Sequence, residues 1–391
     1  MSIKEDQDTS TQHESVEPDI QTAQTTHAQP IVDAFNDEYV KYYGKYVDTE
    51  ELSKFVAEMP EQVDPEDPPK EIIWAVENQE NHDFVGAGAI KFHENLAELG
   101  STIIVPEYRE SDTPSGRGVY DQLFGERLDE AAELKHRGAV DLVNTQLLAD
   151  KSAATQHTAE KHDFAVTGVY DKKFPVAYEG KGRVTVVDML WADSRIENGQ
   201  EQVYAPEEAE GLVNNALDNI DSKRSDGLKE ITREVLSESG DREDQSYRVE
   251  SKAVDAPKND PMNFAEISVV ADDDGNYTWN DVLGEIVDAQ SKIGDGEDFW
   301  VGVSMDVNDN AGMDAAEQLH DLGFEYAGFN PGKLESGGEN RDALELQYRP
   351  SDETYVKQFV NEAVEFMDEA GISYSDAEEE TSYDSSQAIE V

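Results

Sequence analysis

Residues 106–124, PEYRESDTPSGRGVYDQLF, place a glycine pair between an apolar run and an amphipathic one. Backbone N–H groups at a helix N-terminus bind phosphate, and glycine lets the backbone approach such a ligand closely. Arg109 could pair with the same anion. The segment therefore predicts a phosphate-binding helix start, with an ordinary turn as the alternative. The residues that would form this start are Ser115, Gly116, Arg117, Gly118, Val119 and Tyr120.

The elements around this segment follow from apolar periodicity. Apolar residues at helical spacing indicate helices over 31–59, with a break at Gly44, and over 117–137 and 151–162. Short apolar or alternating runs bounded by turn residues indicate strands. The predicted strands are 71–78, 83–94, 97–108, 138–148, 164–170 and 178–192. The glycine pair would thus lie where a strand leads into a helix.

A second ordered block begins near Phe264 and repeats the pattern of strand, helix, strand, helix and two strands, before a terminal helix over 352–371. The segment VNTQLLADKSAATQHTAEKHDFAVTGVY aligns without a gap with VSMDVNDNAGMDAAEQLHDLGFEYAGFN, 160 residues later. Gly168 then meets Gly328. The shared pattern predicts two related halves, whereas chance recurrence of strand–helix–strand units is the alternative.

The charge of the chain is strongly negative along its whole length. The 391 residues include 88 Asp and Glu against 31 Lys and Arg, a formal net charge of −57. At molar salt the Debye length is about 3 Å, so such a surface is screened and stays hydrated. We interpret the composition as adaptation to a salt-rich cytoplasm, as in haloarchaeal proteins. It argues against sequence-independent nucleic-acid binding, which needs cations to neutralise phosphates.

Several classes of chemistry are excluded by residue type. The chain has no cysteine, so disulfides, thiolate nucleophiles and cysteine metal sites are absent. His157 and His162 are five residues apart, which does not suit a metal pair on one helix face, and we expect no metal. The polar N-terminus is not a signal peptide, and no apolar run is long enough to span a membrane. We therefore expect a cytoplasmic protein.

The order of these elements resembles the GNAT superfamily of acyl-CoA-dependent N-acyltransferases. In that family a central strand leads into a glycine-containing loop and a helix; here TPSGRG, residues 113–118, supplies both glycines, with Thr113 in place of the usual Gln or Arg. HDLGFEYAGF, in the second block, resembles a later helix and strand of the family. The resemblance implies an α/β (α+β) fold with a mixed sheet flanked by helices.

The resemblance also implies a cosubstrate, acetyl-CoA or another acyl-CoA, and an amine acceptor. The pyrophosphate would bind at residues 115–120, with Arg109 or Arg117 pairing with a phosphate. The pantetheine arm would lie between two diverging strands, lined by Asn144 or Thr145. A gap between the strands that end near Tyr108 and Leu148 would support this fold, whereas a continuous sheet there would contradict it.

Catalysis by direct amine attack on the thioester needs a base for the amine proton and an acid for the leaving thiolate. Glu107, beside the loop, is the candidate base, although a solvated surface carboxylate is the plainer interpretation; His93 and Glu94 are alternatives. The family's tyrosine acid is replaced here by Ala159 and Leu319. Tyr120 and Tyr170 could substitute for it, or could simply serve packing.

The second block offers only Gly275 among three aspartates before its first helix, so we expect no CoA there. We predict a disordered tail over 1–28, an acyl-CoA-binding domain over 29–192, a charged connection over 193–262, a degenerate second domain over 263–372 and a second tail over 373–391. The predicted function is N-acyl transfer to an unidentified amine. A catalytically inactive ligand sensor or scaffold, and an unrelated α/β protein, are the alternatives, and the oligomeric state is left open.

Overall fold

The fold is described from a computed structural model of the chain. The structure describes residues 16–38, 48–60, 69–93, 95–109, 113, 117–149, 153–175, 183–196, 202–225, 228, 231, 233–237, 246–253, 264–271, 275–293 and 300–348. The predicted terminal helix over 352–371 and the predicted tail over 373–391 lie outside these residues, as does the predicted break at Gly44.

The described strands and helices follow one another along the chain in a mixed order. The strands are β1 Pro18–Thr22, β2 Glu71–Asn78, β3 Phe84–His93, β4 Leu96–Ile104, β5 Leu142–Leu148, β6 Phe164–Pro175, β7 Arg183–Trp191, β8 Gln202–Tyr204, β9 Glu234–Leu236, β10 Tyr247–Ala253, β11 Phe264–Ala271, β12 Trp300–Asp306, β13 Glu325–Ser336 and β14 Glu339–Tyr348. The helices are α1 Ala28–Glu38, α2 Thr49–Glu58, α3 Val119–Arg137, α4 Ala154–Lys161, α5 Glu210–Lys223, α6 Trp279–Ile293 and α7 Asn310–Asp321.

Twelve of the described strands form one mixed sheet in the order β1-β2-β3-β4-β5-β7-β6-β13-β14-β12-β11-β10. The order on the two sides of the β6–β13 junction is mirrored, because β7 lies between β5 and β6 just as β14 lies between β12 and β13. We call this junction the seam. The predicted fold class, a mixed sheet flanked by helices, is confirmed.

Strand alternation divides the apolar side chains of the sheet between its two faces. In β2, Ile72, Trp74 and Val76 face a core that also takes the apolar sides of α3 to α7. Ile73 and Ala75 face a second, smaller core built with α1 and α2. The larger core extends across the seam, where α5 packs against both β6 and β13.

Two segments that composition placed outside the domains carry regular structure. Residues 18–22, within the predicted tail, form β1, which pairs antiparallel with β2. The predicted connection over 193–262 contains β8, α5, β9 and β10, and β10 pairs with β11 at the edge of the large sheet. Polar composition misled the prediction because an edge strand needs backbone partners more than it needs apolar side chains.

Candidate functional site

Strands β4 and β5 run parallel and then diverge. Their pairing comprises Leu96 with Leu142, Ala97 with Val143, and Glu98 with Asn144. Within the described strands no later pair is formed, although β4 continues to Ile104 and β5 to Leu148. The early end of this pairing agrees with the gap predicted between these two strands.

A β-bulge accounts for the direction in which β4 leaves its neighbour. Ala87 pairs with Ile103, but Ala89 pairs with Gly100, so two residues of β4, Ser101 and Thr102, lie opposite the single residue Gly88. One of them, Ser101, has a φ of 49°. A bulge bends its strand and increases the local twist, and this one lies just after Glu98, the last residue of β4 that is paired with β5.

Arg127, on α3, stabilises this bulge through hydrogen bonds to the backbone of β3 and β4. The side chain is fully buried, and its Nη1 donates to the carbonyl oxygens of Ala89 at 3.1 Å and Gly100 at 3.0 Å. Its Nε donates to the carbonyl oxygen of Leu123 at 3.2 Å. Gly88 is required because a Cβ there would lie 2.9 Å from the Arg127 Cζ. This role was not predicted from the sequence, although an arginine inside the apolar stripe of a helix is a signal for a buried, hydrogen-bonded side chain.

Helix α3 is the first described α-helix after β4, and it packs against β3, β4 and β5. Gly118 is its N-cap, and no side chain of the described residues caps the amides of the first turn. A Cβ on Gly118 would meet no described atom within 4 Å. The turn before it is closed by Thr113, whose N–H and hydroxyl both donate to the Arg117 carbonyl, at 3.0 and 2.8 Å. Among the described residues, the first-turn N–H groups thus have no side-chain acceptor.

Asp121, the acidic residue in the first turn of α3, is hydrogen-bonded to a residue outside that turn. Asp121 accepts from His162 Nε2 at 2.7 Å. This contact joins the first turn of α3 to the end of α4, and it holds the carboxylate next to a donor. His162 therefore has a structural partner, and the neighbouring Phe124 ring lies 5.3 Å from its ring centroid.

The charged residues predicted beside the loop lie at the surface. Glu107 is exposed in the turn that follows β4. Arg109 is also exposed, and its Nε donates to the carbonyl oxygen of Ile104 at 3.0 Å, against the end of β4. Arg117 is exposed immediately before the helix start. The predicted contributions of Ser115 and Gly116 lie outside the described residues.

Tyr120 lies in the first turn of α3, half-buried, with its ring 6.2 Å from that of Phe124. Burial raises the pKa of its hydroxyl to about 12, although the charge of Arg127 acts in the opposite direction. The Tyr120 hydroxyl is therefore protonated at neutral pH and is a weaker acid than an ordinary tyrosine. Val119, beside it, is buried in the larger core.

The two polar residues predicted on β5 point to opposite faces of the sheet. Thr145 is fully buried, and its hydroxyl donates to the Leu99 carbonyl at 2.7 Å, just where the backbone pairing of β4 and β5 ends. Asn144 faces the other way, 7% exposed, and its Nδ2 lies 3.4 Å from Asp188 Oδ1. Its Oδ1 has no hydrogen-bond partner among the described residues.

A buried polar cluster occupies this other face across the seam, and sequence reasoning missed it. We define the seam cluster as Asn144, Thr167, Tyr170, Asp188, Ser304, Asn330, Lys333 and Glu345. Asn330 lies at its centre: its Nδ2 is 3.0 Å from Asp188 Oδ2 and 3.2 Å from Glu345 Oε1. Its Oδ1 accepts from Thr167 at 2.7 Å.

The remaining members supply further donors to the two carboxylates. Tyr170 donates to Asp188 at 3.3 Å, Ser304 to Glu345 at 2.7 Å, and Lys333 to Glu345 at 2.8 Å. Burial and the nearby carboxylates raise the pKa of Tyr170 well above its ordinary value. A charged residue inside an apolar strand, as in VVDML and ALELQ, is the sequence signal that would have found this cluster.

The corresponding strands beyond the seam do not diverge. Strands β11 and β12 are parallel and stay paired from Phe264 with Trp300 to Val269 with Met305. The start of α6 is closed as well, because the Asp281 carboxylate accepts from the N–H and the hydroxyl of Thr278, at 2.8 and 2.7 Å. A carboxylate at that helix start would repel a phosphate.

Other candidates from the sequence are placed away from the gap or are engaged. His157 Nδ1 lies 3.0 Å from Glu160 Oε2 on the same helix. His93 is exposed, 3.6 Å from Glu98, and Glu94 lies outside the described residues. The described side chains include no group of His, Asp and Glu arranged to hold a metal ion. Among the described helices, none has the length and apolarity needed to cross a membrane.

Comparisons with known proteins give structural overlap and no match in sequence. No protein-family model matches the chain, and no curated protein matches it. The chain is similar to spermidine N-acetyltransferase from Vibrio cholerae, solved with CoA and spermine, over 44% of its length and 94% of that chain, with 16% identity and a TM-score of 0.34.

Two further solved structures overlap to the same extent, 44% of this chain with a TM-score of 0.34. One is an acetyltransferase of the GNAT family from Streptococcus pneumoniae, 18% identical and covered over 98% of its chain. The other is Arabidopsis thaliana NAA60 in complex with a bisubstrate analogue, 11% identical and covered over 97%. Less than half of this chain thus overlaps with each of these structures.

Proposed function

We propose that this protein is an N-acyltransferase that transfers an acyl group from acyl-CoA to an amine. The gap between β4 and β5 holds the acyl-CoA arm, and the open start of α3 holds its pyrophosphate. When bound, acyl-CoA supplies an activated thioester whose carbonyl carbon an amine can attack.

The observation that carries the proposal is the coincidence of two features at one place. Pairing of β4 with β5 ends after Glu98 and Asn144, and no described side chain caps the helix that begins at Gly118. Beyond the seam, β11 and β12 stay paired and the start of α6 is capped by Asp281. An open slot and an open helix start thus occur together, and both are closed in the counterpart.

The chain's own residues fit the parts of such a cosubstrate. Backbone amides of residues 118–120 provide donors for pyrophosphate oxygens, and the exposed guanidinium of Arg117 lies next to them. Tyr120, protonated at neutral pH, provides a proton for the leaving thiolate. Glu107, in the turn after β4, provides a carboxylate for the amine proton. Arg127 holds the conformation of the bulge in β4, and through the bulge it maintains the gap between β4 and β5.

We further infer that the chain contains two related halves, 29–192 and 263–372, joined by the region 193–262. The mirrored strand order and the 160-residue offset support a duplication in which the first half kept the acyl-CoA site. The second half contributes to the first through the seam, where Asn330 donates to Asp188.

The experiment that tests the proposal is a calorimetric titration with acetyl-CoA in multimolar KCl. We expect saturable binding by the wild-type chain and loss of binding in Gly118→Asp. Aspartate is a favoured N-cap residue, so this variant should fold at least as stably while its carboxylate occupies the amides. Gly211→Asp is the matched control, since Gly211 lies in the first turn of α5 with no described atom within 4 Å of a Cβ. Equal affinity in both variants would contradict the assignment.

A further inference from the structure

Helices α3 and α6 begin at corresponding positions of the two halves. Val119 is the first residue of α3 and Trp279 is the first residue of α6, 160 residues later, which is the offset at which the two halves align. Each helix has an aspartate in its first turn, Asp121 in α3 and Asp281 in α6, again 160 residues apart. The two aspartates are equivalent by position, so the difference between their contacts shows how the surrounding residues act on each helix start.

Asp281 binds back to the residue before its own helix. Its carboxylate accepts from the N–H of Thr278 at 2.8 Å and from the hydroxyl of Thr278 at 2.7 Å. The Asp281 N–H lies 3.4 Å from the same hydroxyl oxygen. Such a reciprocal contact is typical of an acidic residue at the third position of a helix. It places negative charge at the helix start.

Asp121 is bound to another helix instead. Its Oδ1 lies 2.7 Å from Nε2 of His162, and the two side chains are 20% and 17% exposed. His162 is the C-cap of α4. Its counterpart, 160 residues later, is Leu322, the C-cap of α7, whose side chain has no hydrogen-bond donor. The half that has the histidine therefore has the aspartate bound away from its helix start, and the half that has the leucine has the capping aspartate.

The imidazole ring of His162 is held by packing as well as by Asp121. Its centroid lies 5.3 Å from that of the Phe124 ring. Gly125 leaves space for the ring, because a Cβ there would lie 3.2 Å from the His162 Cε1. The residue 160 positions later is Glu285. The glycine that makes room for this ring is thus found in the first half and is not repeated in the second.

We propose that His162 is a positioning residue for the acyl-CoA site, because it holds the Asp121 carboxylate away from the first-turn amides of α3 and leaves them to pyrophosphate. The inference rests on the proposed function. Without His162, Asp121 would bind back to the start of α3, as Asp281 does in α6. It would then compete with pyrophosphate for N–H donors and repel its charge. Gly118 acts in the same direction, since it has no hydroxyl to hold Asp121 as Thr278 holds Asp281.

The test is calorimetric titration of the full chain with acetyl-CoA in multimolar KCl. His162→Leu gives the first half the residue of the second, and its affinity for acetyl-CoA should fall at least about threefold. His157→Leu is the matched control. His157 lies on the same helix, is 27% exposed and is paired with Glu160 at 3.0 Å, so this variant should bind acetyl-CoA as the wild type does.

Removal of the carboxylate separates positioning from a purely structural role. Asp121→Ala breaks the pair with His162 as His162→Leu does, but it leaves no carboxylate to reach the helix start. It should bind acetyl-CoA at least as tightly as the wild type, and adding it to His162→Leu should restore the affinity. If the pair only joined α4 to α3, both single variants would lose affinity and the double variant would not recover it.

Further variants keep the test decisive if His162→Leu does not fold. His162→Phe keeps a ring beside Phe124 and removes the donor, so it should show the same loss, whereas His162→Gln keeps a donor and should lose less. Equal affinity of the wild type and a folded donor-free variant, or an equal loss in Asp121→Ala, would overturn this inference and leave the proposed function intact. Absence of acetyl-CoA binding by the wild type would overturn the proposed function and this inference with it.

Discussion

Gly168 and Gly328 are paired across the seam, and they are the only pair of residues by which the described parts of β6 and β13 are registered. The two glycines are also 160 residues apart, the offset at which the two halves of the sequence align. A Cβ on Gly328 would lie 2.6 Å from the Gly168 Cα and 2.7 Å from the Thr167 carbonyl oxygen. The close approach of the halves therefore depends on glycine.

The first prediction concerns this contact. Gly328→Ala should destabilise the chain by about 1–3 kcal/mol, because the added methyl group forces the two backbones apart. Denaturant unfolding at fixed KCl measures the change. Gly284→Ala is the control. Gly284 lies exposed in α6 with no described atom within 4 Å of a Cβ, so this variant should be about 0.5–1 kcal/mol more stable than the wild type. A Gly328→Ala variant as stable as the wild type would show that the seam tolerates separation.

The second prediction concerns the bulge in β4. Arg127→Met should cost about 3 kcal/mol of stability, because the carbonyls of Ala89 and Gly100 lose a charged donor. The affinity for acetyl-CoA should also fall, since β4 is then free to move toward β5. Unfolding and calorimetric titration measure the two effects.

The matched control for this prediction is Arg137→Met, which removes an exposed arginine from the same helix and should change the stability by less than about 1 kcal/mol. If a folded Arg127→Met variant bound acetyl-CoA as tightly as the wild type does, the bulge would not determine binding in the gap. The proposed role of Arg127 would then be limited to stability.

The third prediction concerns the centre of the seam cluster. Asn330→Asp replaces a donor to Asp188 and Glu345 by a third carboxylate, with little change in shape. The new carboxyl group should have a pKa above its ordinary value in the folded state. Its destabilising effect should be small at acid pH and should grow as the pH rises through that raised pKa, reaching about 3 kcal/mol or more. Unfolding of both proteins over a pH series measures it.

Asn214→Asp is the control for the seam, because Asn214 is exposed on α5. It should show no comparable dependence on pH. If Asn330→Asp is as stable as the wild type at alkaline pH, the hydrogen bonds from Asn330 contribute little to holding the halves together.

The fourth prediction concerns Asp306, at the end of β12. Burial raises its pKa to about 7, partly offset by a hydrogen bond from the Asn308 N–H at 3.0 Å. The folded chain therefore binds a proton here that the unfolded chain has already released. Its contribution to stability is full below pH 4 and is lost as the pH rises to about 7. Asp306→Asn should remove that loss, worth at most about 4 kcal/mol at pH 8.

The difference in unfolding free energy between the wild type and Asp306→Asn, followed from pH 4 to pH 8, measures this effect. Asp281→Asn gives a control of opposite sign. Hydrogen bonds from Thr278 lower the pKa of Asp281, so its contribution is lost as the pH falls. A pH-independent difference for Asp306→Asn would contradict the raised pKa.

The fifth prediction concerns salt. Because the net charge is −57, the folded state should be weakened by self-repulsion at low ionic strength. Raising KCl from about 0.1 M to about 1 M shortens the Debye length from about 10 Å to about 3 Å, and the unfolding midpoint should rise over that range. NaCl at equal ionic strength should produce a similar rise if screening is its cause.

Much of the fold follows from local pattern in the sequence. The hairpin of β2 and β3, the strand that leads into α3 and the repeated strand–helix–strand units were all predicted from apolar periodicity. The glycines before α3 were predicted as a helix start, and Gly118 does cap α3. These features are determined by sequence because a strand or helix chooses its buried face from side chains a few residues apart.

Only the tertiary structure decided which strands diverge and which polar groups meet. The apolar patterns of β4–β5 and β11–β12 look alike in sequence, yet the first pair diverges and the second stays paired. The difference depends on a bulge held by Arg127, which lies 27 residues from the carbonyl of Gly100. Asn330 and Asp188 are 142 residues apart. Contacts over such separations depend on the register of whole strands, which no local pattern encodes.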